Sequence, residues 1–206
     1  MIYLSNEDLL PMSKSQENAQ RKQATIVQAA QKLFLKQGYA ATSMDSVAAL
    51  AGVTKQTVYR YYPSKGELIT SVMEKIRADE PQLYQFDGGQ PERELYNFGR
   101  DLLAFHVSPT ALGLYKMIIR EAGEEESLLK PFMQAGPTRI VESLTEFLLQ
   151  HYPKLDDAGF YAQMFVSMVL VPRNRLIIQG KGPISPSEQE AHVDKVVRLF
   201  LNGLQT

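Results

Sequence analysis

Apolar side chains recur at three- and four-residue intervals through most of this chain, a period that gathers them on one face of an α-helix instead of alternating them across a strand. In residues 24–37, Ile26, Val27, Ala30, Leu33, Phe34 and Gln37 fall on one side, and Gly38 supplies a C-terminal stop. Two shorter helices are predicted within 42–65. Another runs from a Ser64 cap to about residue 79, ending before Pro81 and the Asp87-Gly88-Gly89-Gln90-Pro91 loop. Further helices are predicted at about 92–107, 109–121, 127–134, 137–151, 157–178 and 187–203. Pro109 and Pro137 suit first-turn positions, where the missing N–H costs nothing, whereas Pro172 predicts a kink or a division inside 157–178. No strand pair, internal repeat or low-complexity tract is visible, so the predicted fold is all-α. Residues 1–16 lack a sustained period and are expected to form a flexible arm or a short helix.

The segment 42–65 carries the most information. Ala48, Gly52 and Val58 stand at relative positions 0, +4 and +10. That spacing suits a small residue where two helices cross, a glycine at a tight turn and a β-branched anchor beneath the second helix. Val47, Ala51 and Val53 fill the other inward positions, Thr42 or Ser43 can cap the first helix, and Thr54 can cap the second. The outward face of the second helix is then Thr54, Lys55, Gln56, Thr57, Tyr59 and Arg60; all six side chains can donate hydrogen bonds and none is acidic. Spacing alone also allows a plain pair of short helices joined by a glycine turn.

Charge divides the chain in the same place. The whole sequence has 22 basic and 23 acidic side chains, but residues 13–77 hold ten Lys or Arg against four acids, a net +6, while residues 78–206 hold twelve against seventeen, a net −5. A basic head on an acidic body suits a protein that addresses a polyanion with one end. A charge run by itself is more often solvated surface.

That helix pair, with the run Tyr59-Arg60-Tyr61-Tyr62-Pro63-Ser64-Lys65 into which it leads and the preceding helix Ala24 to Tyr39, resembles the DNA-binding segment of TetR-family transcriptional regulators. Two positions depart from the usual pattern: Tyr62 where Phe is more frequent, and Gln56 where a small residue is common. The resemblance covers about fifty residues and implies a helix-turn-helix DNA-binding domain at 17–66, joined by a linking helix to a helical ligand-binding and dimerisation domain at 67–206. It implies that residues 54–61 form the recognition helix, with Lys55, Gln56 and Thr57 nearest the base edges. Tyr59, Tyr62 and Lys65 would hold phosphates, and Thr42, Ser43, Thr54 and Arg60 complete the candidate DNA face. The implied partners are double-stranded DNA, a second copy of the chain and a small apolar or amphipathic effector that releases a repressor. An activator of the same fold, or a helical binding protein or enzyme using its amino-terminal unit for protein interaction, are the alternatives.

The resemblance also implies pairing through the last two long helices. Val193, Val196, Val197, Phe200, Leu201 and Leu204 make a broad apolar face, which by pattern alone fits a seam between subunits and burial within one subunit equally well. For the effector, Phe105, Tyr115, Met117, Phe132, Met133, Phe147, Tyr161, Met164, Phe165 and Met168 offer aromatic and thioether surface. His106, Arg120 and Asn174 could fix a polar group. Most of the aromatic and methionine residues are more often plain core, and a lone histidine in a helix is usually structural or exposed.

Composition narrows the rest. Without cysteine there is no disulfide, thiolate metal site or cysteine nucleophile. His106, His151 and His192 are dispersed, Gly180-Lys181-Gly182 lacks phosphate-loop spacing, and Glu124-Glu125-Glu126 reads as a solvated turn. No Gly-x-Ser-x-Gly elbow occurs. Neither an enzyme nor a cofactor or metal is expected. The longest apolar run, 166–171, is far short of a membrane span, and the first twelve residues do not resemble a secretion signal, so the expected location is the cytoplasm.

Overall fold

The computed structural model describes residues 13–78, 86–121, 123, 128, 132–133, 136–180 and 182–204. Among them the regular elements are helices: α1 (Lys14–Gln37), α2 (Met44–Ala51), α3 (Lys55–Tyr61), α4 (Lys65–Ala78), α5 (Pro91–His106), α6 (Pro109–Glu121), α7 (Pro137–His151), α8 (Ala158–Val169), α9 (Val171–Gln179) and α10 (Pro186–Gly203). The predicted bounds of α6 and α7 agree with these, and Pro172 divides the predicted 157–178 helix into α8 and α9, as its missing N–H requires. The helix predicted at 127–134 falls largely outside the described residues, of which Leu128, Phe132 and Met133 are helical.

α1 begins ten residues earlier than the apolar period suggests. Ser13 accepts a hydrogen bond from the Gln16 N–H, and the Gln16 side chain accepts one from the Ser13 N–H; this reciprocal cap starts a helix without an apolar face. Residues 14–16 are therefore its first turn and not part of an arm, while residues 1–12 lie outside the described ones.

Two apolar cores organise the molecule. The first joins Ile26, Ala30 and Phe34 of α1, Val47 of α2, Val58 of α3 and Leu68, Ile69 and Val72 of α4. It continues through Ile76 and takes in Leu114, Met117 and Ile118 of α6, so packing does not stop at residue 66. The second core is built from α5, α7, α8 and α10, with Leu95, Leu102, Leu144, Phe147, Phe165, Val193 and Phe200 inside. α6 packs on α1, α5 and α9, which makes it the element shared by the two halves.

Candidate functional site

The α2–α3 turn positions the first site. Gly52 ends α2 in the left-handed conformation, φ 67°, ψ 32°, and its N–H reaches the Ala48 and Ala49 carbonyls. Ser43 caps α2 by accepting from the Ser46 N–H, and Thr54 caps α3 by accepting from the Thr57 N–H at 3.2 Å. Val58 is fully buried, which fixes the rotation of α3 and turns Lys55, Gln56, Tyr59 and Arg60 to solvent. Thr57 is half-buried, its hydroxyl 2.8 Å from that of Thr54. Lys55 Nζ donates to Asp45 at 2.8 Å, and the hydrogen bond and charge of Asp45 raise the Lys55 pKa. Arg60 lies 4.9 Å over the Tyr61 ring. The face is cationic, hydrogen-bonding and seven residues long, the dimensions of a short helix that enters a major groove.

Behind this face lies a junction centred on residues 38–42. Lys65 Nζ donates to the Tyr39 carbonyl at 2.9 Å and stands 4.3 Å over the Tyr39 ring. From the other side Glu121, the last residue of α6, accepts from the Ala40 N–H at 2.7 Å and pairs with Arg120 at 2.6 Å. Burial pushes the Glu121 carboxyl up, but Arg120 and the Ala40 and Tyr39 N–H groups outweigh it and hold the pKa below the usual carboxylate range. One backbone loop is thus tied to α4 and to α6 at once.

The second site is a cavity of about 530 Å³ between α5, α6, α7, α8 and α9. Tyr115, Phe132, Met133, Ile140, Val141, Val166 and Leu170 give it apolar walls; His106, Gln163, Ser167, Arg173 and Asn174 add polar groups. His106 Nδ1 lies 2.8 Å from the Leu102 carbonyl, so Nδ1 carries the proton and Nε2 is an acceptor. Burial, which outweighs the opposing Leu102 bond and is aided by the nearby Arg173 charge, brings the His106 pKa down to about 4, leaving the ring neutral at pH 7. The volume and the mix of apolar wall with a few polar groups suit a small organic ligand. Among the described residues no cluster of three or more His, Cys, Asp or Glu could hold a metal ion, and no single helix is long and apolar enough to cross a membrane.

Comparison with known families settles what this architecture belongs to. Residues 26–72 match the family described as "Bacterial regulatory proteins, tetR family", and residues 93–203 match "AefR-like transcriptional repressor, C-terminal domain". The chain belongs to the TetR family of transcriptional regulators. Members of this family are regulators, not enzymes; they bind DNA and typically act as dimers with small-molecule effectors. A putative TetR-family regulator from Mesorhizobium loti MAFF303099 has a solved structure that superposes with a TM-score of 0.76 at 27% identity, over 90% of this chain and 97% of that one. The flavonoid-responsive regulator FrrA gives 0.74 at 29% identity over 89% and 97%. The probable regulator ArpR of Pseudomonas putida is 30% identical over 90 residues, 44% of this chain and 43% of that protein, so the chain spans less than half the length of that curated relative.

Several residues of this TetR-family regulator lie elsewhere than the sequence suggests. Thr42 is not on the DNA face: it is 1% exposed and donates to the Gly38 carbonyl at 2.7 Å. Tyr62 is likewise buried; its pKa is raised by burial while its hydroxyl bonds Ser71. Lys65 is half-buried on the Tyr39 loop. Of the expected ligand set, Tyr115, Phe132, Met133, His106 and Asn174 line the large cavity and Phe105 a small adjoining one. Met117 belongs to the first core, and Phe147, Phe165, Tyr161 and Met168 to the second. Met164 is exposed, and Arg120 faces Glu121 at the junction.

The expected dimer seam needs the largest correction. Val193, Val197 and Phe200 are 0–5% exposed inside their own subunit, where α10 packs on α5 and α8, and Leu201 and Leu204 pack against the same core. The large apolar side chains left exposed on α8 and α10 are Phe160, Met164 and Leu199. Sequence reading missed Arg173 and Gln163, because polar residues in an amphipathic helix read as surface until a cavity is seen beside them.

Proposed function

We propose that this TetR-family regulator is a cytoplasmic repressor that binds an inverted-repeat operator as a homodimer through α3 and is released by a small aromatic effector in the 530 Å³ cavity. The outward face of α3, with Lys55, Gln56, Tyr59 and Arg60 exposed over a buried Val58, carries the DNA reading. Lys55, Gln56 and Thr57 are nearest the bases. Tyr59 and Lys65 hold phosphates, Lys55 and Lys65 exchanging Asp45 and the Tyr39 carbonyl for DNA oxygens. Phe160 and Met164 on α8 with Leu199 on α10 form the seam, which sets the two α3 helices about 34 Å apart, one turn of DNA. FrrA, described as flavonoid-responsive and 29% identical, supports an aromatic effector.

Coupling runs through the junction. A ligand that displaces Tyr115 shifts α6 and pulls Glu121 on the loop of Tyr39 and Ala40, whose Tyr39 carbonyl competes with DNA for Lys65 of α4. Operator and effector then weaken each other by the same factor, corresponding to about 1–3 kcal/mol. The test is selection of bound duplexes from genomic fragments, followed by salt-dependent binding to the selected site. Lys65→Ala lowers the magnitude of the salt slope by about 0.9 for one lost phosphate, while Gln56→Ala changes base preference by about 1–3 kcal/mol. No salt-dependent binding to any duplex, or a Lys65 variant that alters preference at constant slope, overturns the reading.

A further inference from the structure

Arg173 is the unusual wall residue. It is half-buried, its guanidinium carbon lies 4.3 Å over the Tyr115 ring, and its Nε and Nη2 donate to Asn174 Oδ1 at 3.2 and 2.9 Å. Asn174 is neutral and cannot balance the charge. Among the described residues no carboxylate lies within ion-pair distance of Arg173; the cavity acid Glu142 is exposed and makes no pair with it. Burial lowers the Arg173 pKa, the mark of a cation short of solvent. A guanidinium in this setting is a receptor for an oxyanion.

A second cation points the same way from another helix. Arg77, near the end of α4, has a buried Nε with no hydrogen-bond partner. It lines a chamber of about 40 Å³ that shares His106, Tyr115 and Phe132 with the large cavity. Such a volume holds one small polar group and not a ring, and a buried donor without an acceptor is costly until one arrives.

We infer that the effector is an aromatic anion, a carboxylate or an ionised acidic phenol set against Arg173, whose ring system packs against the wall that Tyr115 and Phe132 form in edge-to-face contact and whose second oxygen substituent enters the small chamber to accept from Arg77. This rests on the effector reading of the cavity and deepens it: the Arg77 contact places the ligand directly on α4, the helix that begins at Lys65.

The experiment uses the full chain and three probes: 6-hydroxy-2-naphthoate, its neutral amide, and 2-naphthoate lacking the hydroxyl. Calorimetric affinities are compared within each variant, so any loss of stability cancels from the ratio. The hydroxy acid is expected to bind about tenfold or more tightly than its amide. Arg173→Gln removes that preference, Arg173→Lys keeps part of it, and Arg77→Gln removes the advantage of the hydroxyl while leaving the acid-over-amide ratio. Equal binding of acid and amide, a preference that survives Arg173→Gln, or no binding of the acids at about 1 mM overturns the inference. DNA release is read in parallel. An acid that binds through Arg173 without affecting operator affinity counts against the repressor reading alone; neutral aromatics that release DNA where the acid does not bind count against this inference alone.

Discussion

Gly38→Ala probes the junction between head and cavity. Gly38 has φ 96° and ψ 167°, a region that glycine alone occupies freely, so a side chain there strains the backbone by about 1–3 kcal/mol. A Cβ at this position would also collide with Glu121 Oε1 and Arg120 Nη2. Both are ends of flexible side chains and can swing aside, but the carboxylate then gives up its bond from the Ala40 N–H. A hydrogen bond to a charged group is worth about 1.5–3 kcal/mol. Taking the middle of each range, Gly38→Ala costs about 4 kcal/mol and Glu121→Ala about 2 kcal/mol. In the double variant the collision has nothing left to break, so the total stays near ~4 instead of ~6 kcal/mol, a coupling of about 2 kcal/mol. Urea unfolding of the four full-length proteins at one concentration measures it, since a common concentration keeps association from moving the midpoints. Costs that add to within about 0.5 kcal/mol would refute the latch.

Two other outcomes follow from the same geometry. His106 has a folded pKa of about 4 against 6.5 in the unfolded chain. Between those values the unfolded state binds a proton that the folded state refuses, so stability present above pH 6.5 is lost as pH falls toward 4. The loss is roughly 2–3 kcal/mol from pH 7 to 4.5; His106→Asn should show that much less pH dependence in urea unfolding, and an equal loss in both proteins sinks the assignment. Phe160→Asp with Met164→Asp should give a folded monomer by sedimentation and circular dichroism. Val197→Asp should instead unfold the subunit, because it buries an unpaired charge at a position 2% exposed; a folded Val197→Asp monomer restores the original seam.

The local code was legible in the sequence because its physics is local. Gly52, the Thr54 cap and the Val58 anchor act within a few residues of themselves, and the proline at the head of α7 and the break at Pro172 need no tertiary partner. The tyrosine and lysine element that begins in the last turn of α3 identifies the family without any tertiary information. Helical period states that a face is buried without saying against what. Val193, Val197 and Phe200 therefore read equally well as a seam or a core, and the packing of α10 on α5 and α8 decided for the core. Met117 and Phe147 look like cavity residues by type and are core residues by position. Arg173, Arg77 and Glu121 carried no sequence signal, since a charged side chain on an amphipathic helix is ordinarily solvated. Their meaning comes from neighbours distant in the chain: Tyr115 beneath Arg173, the Ala40 N–H against Glu121, and a small chamber beside Arg77. Burial and partnership are properties of the assembled fold, and a one-dimensional pattern cannot encode which helix comes to lie beside which.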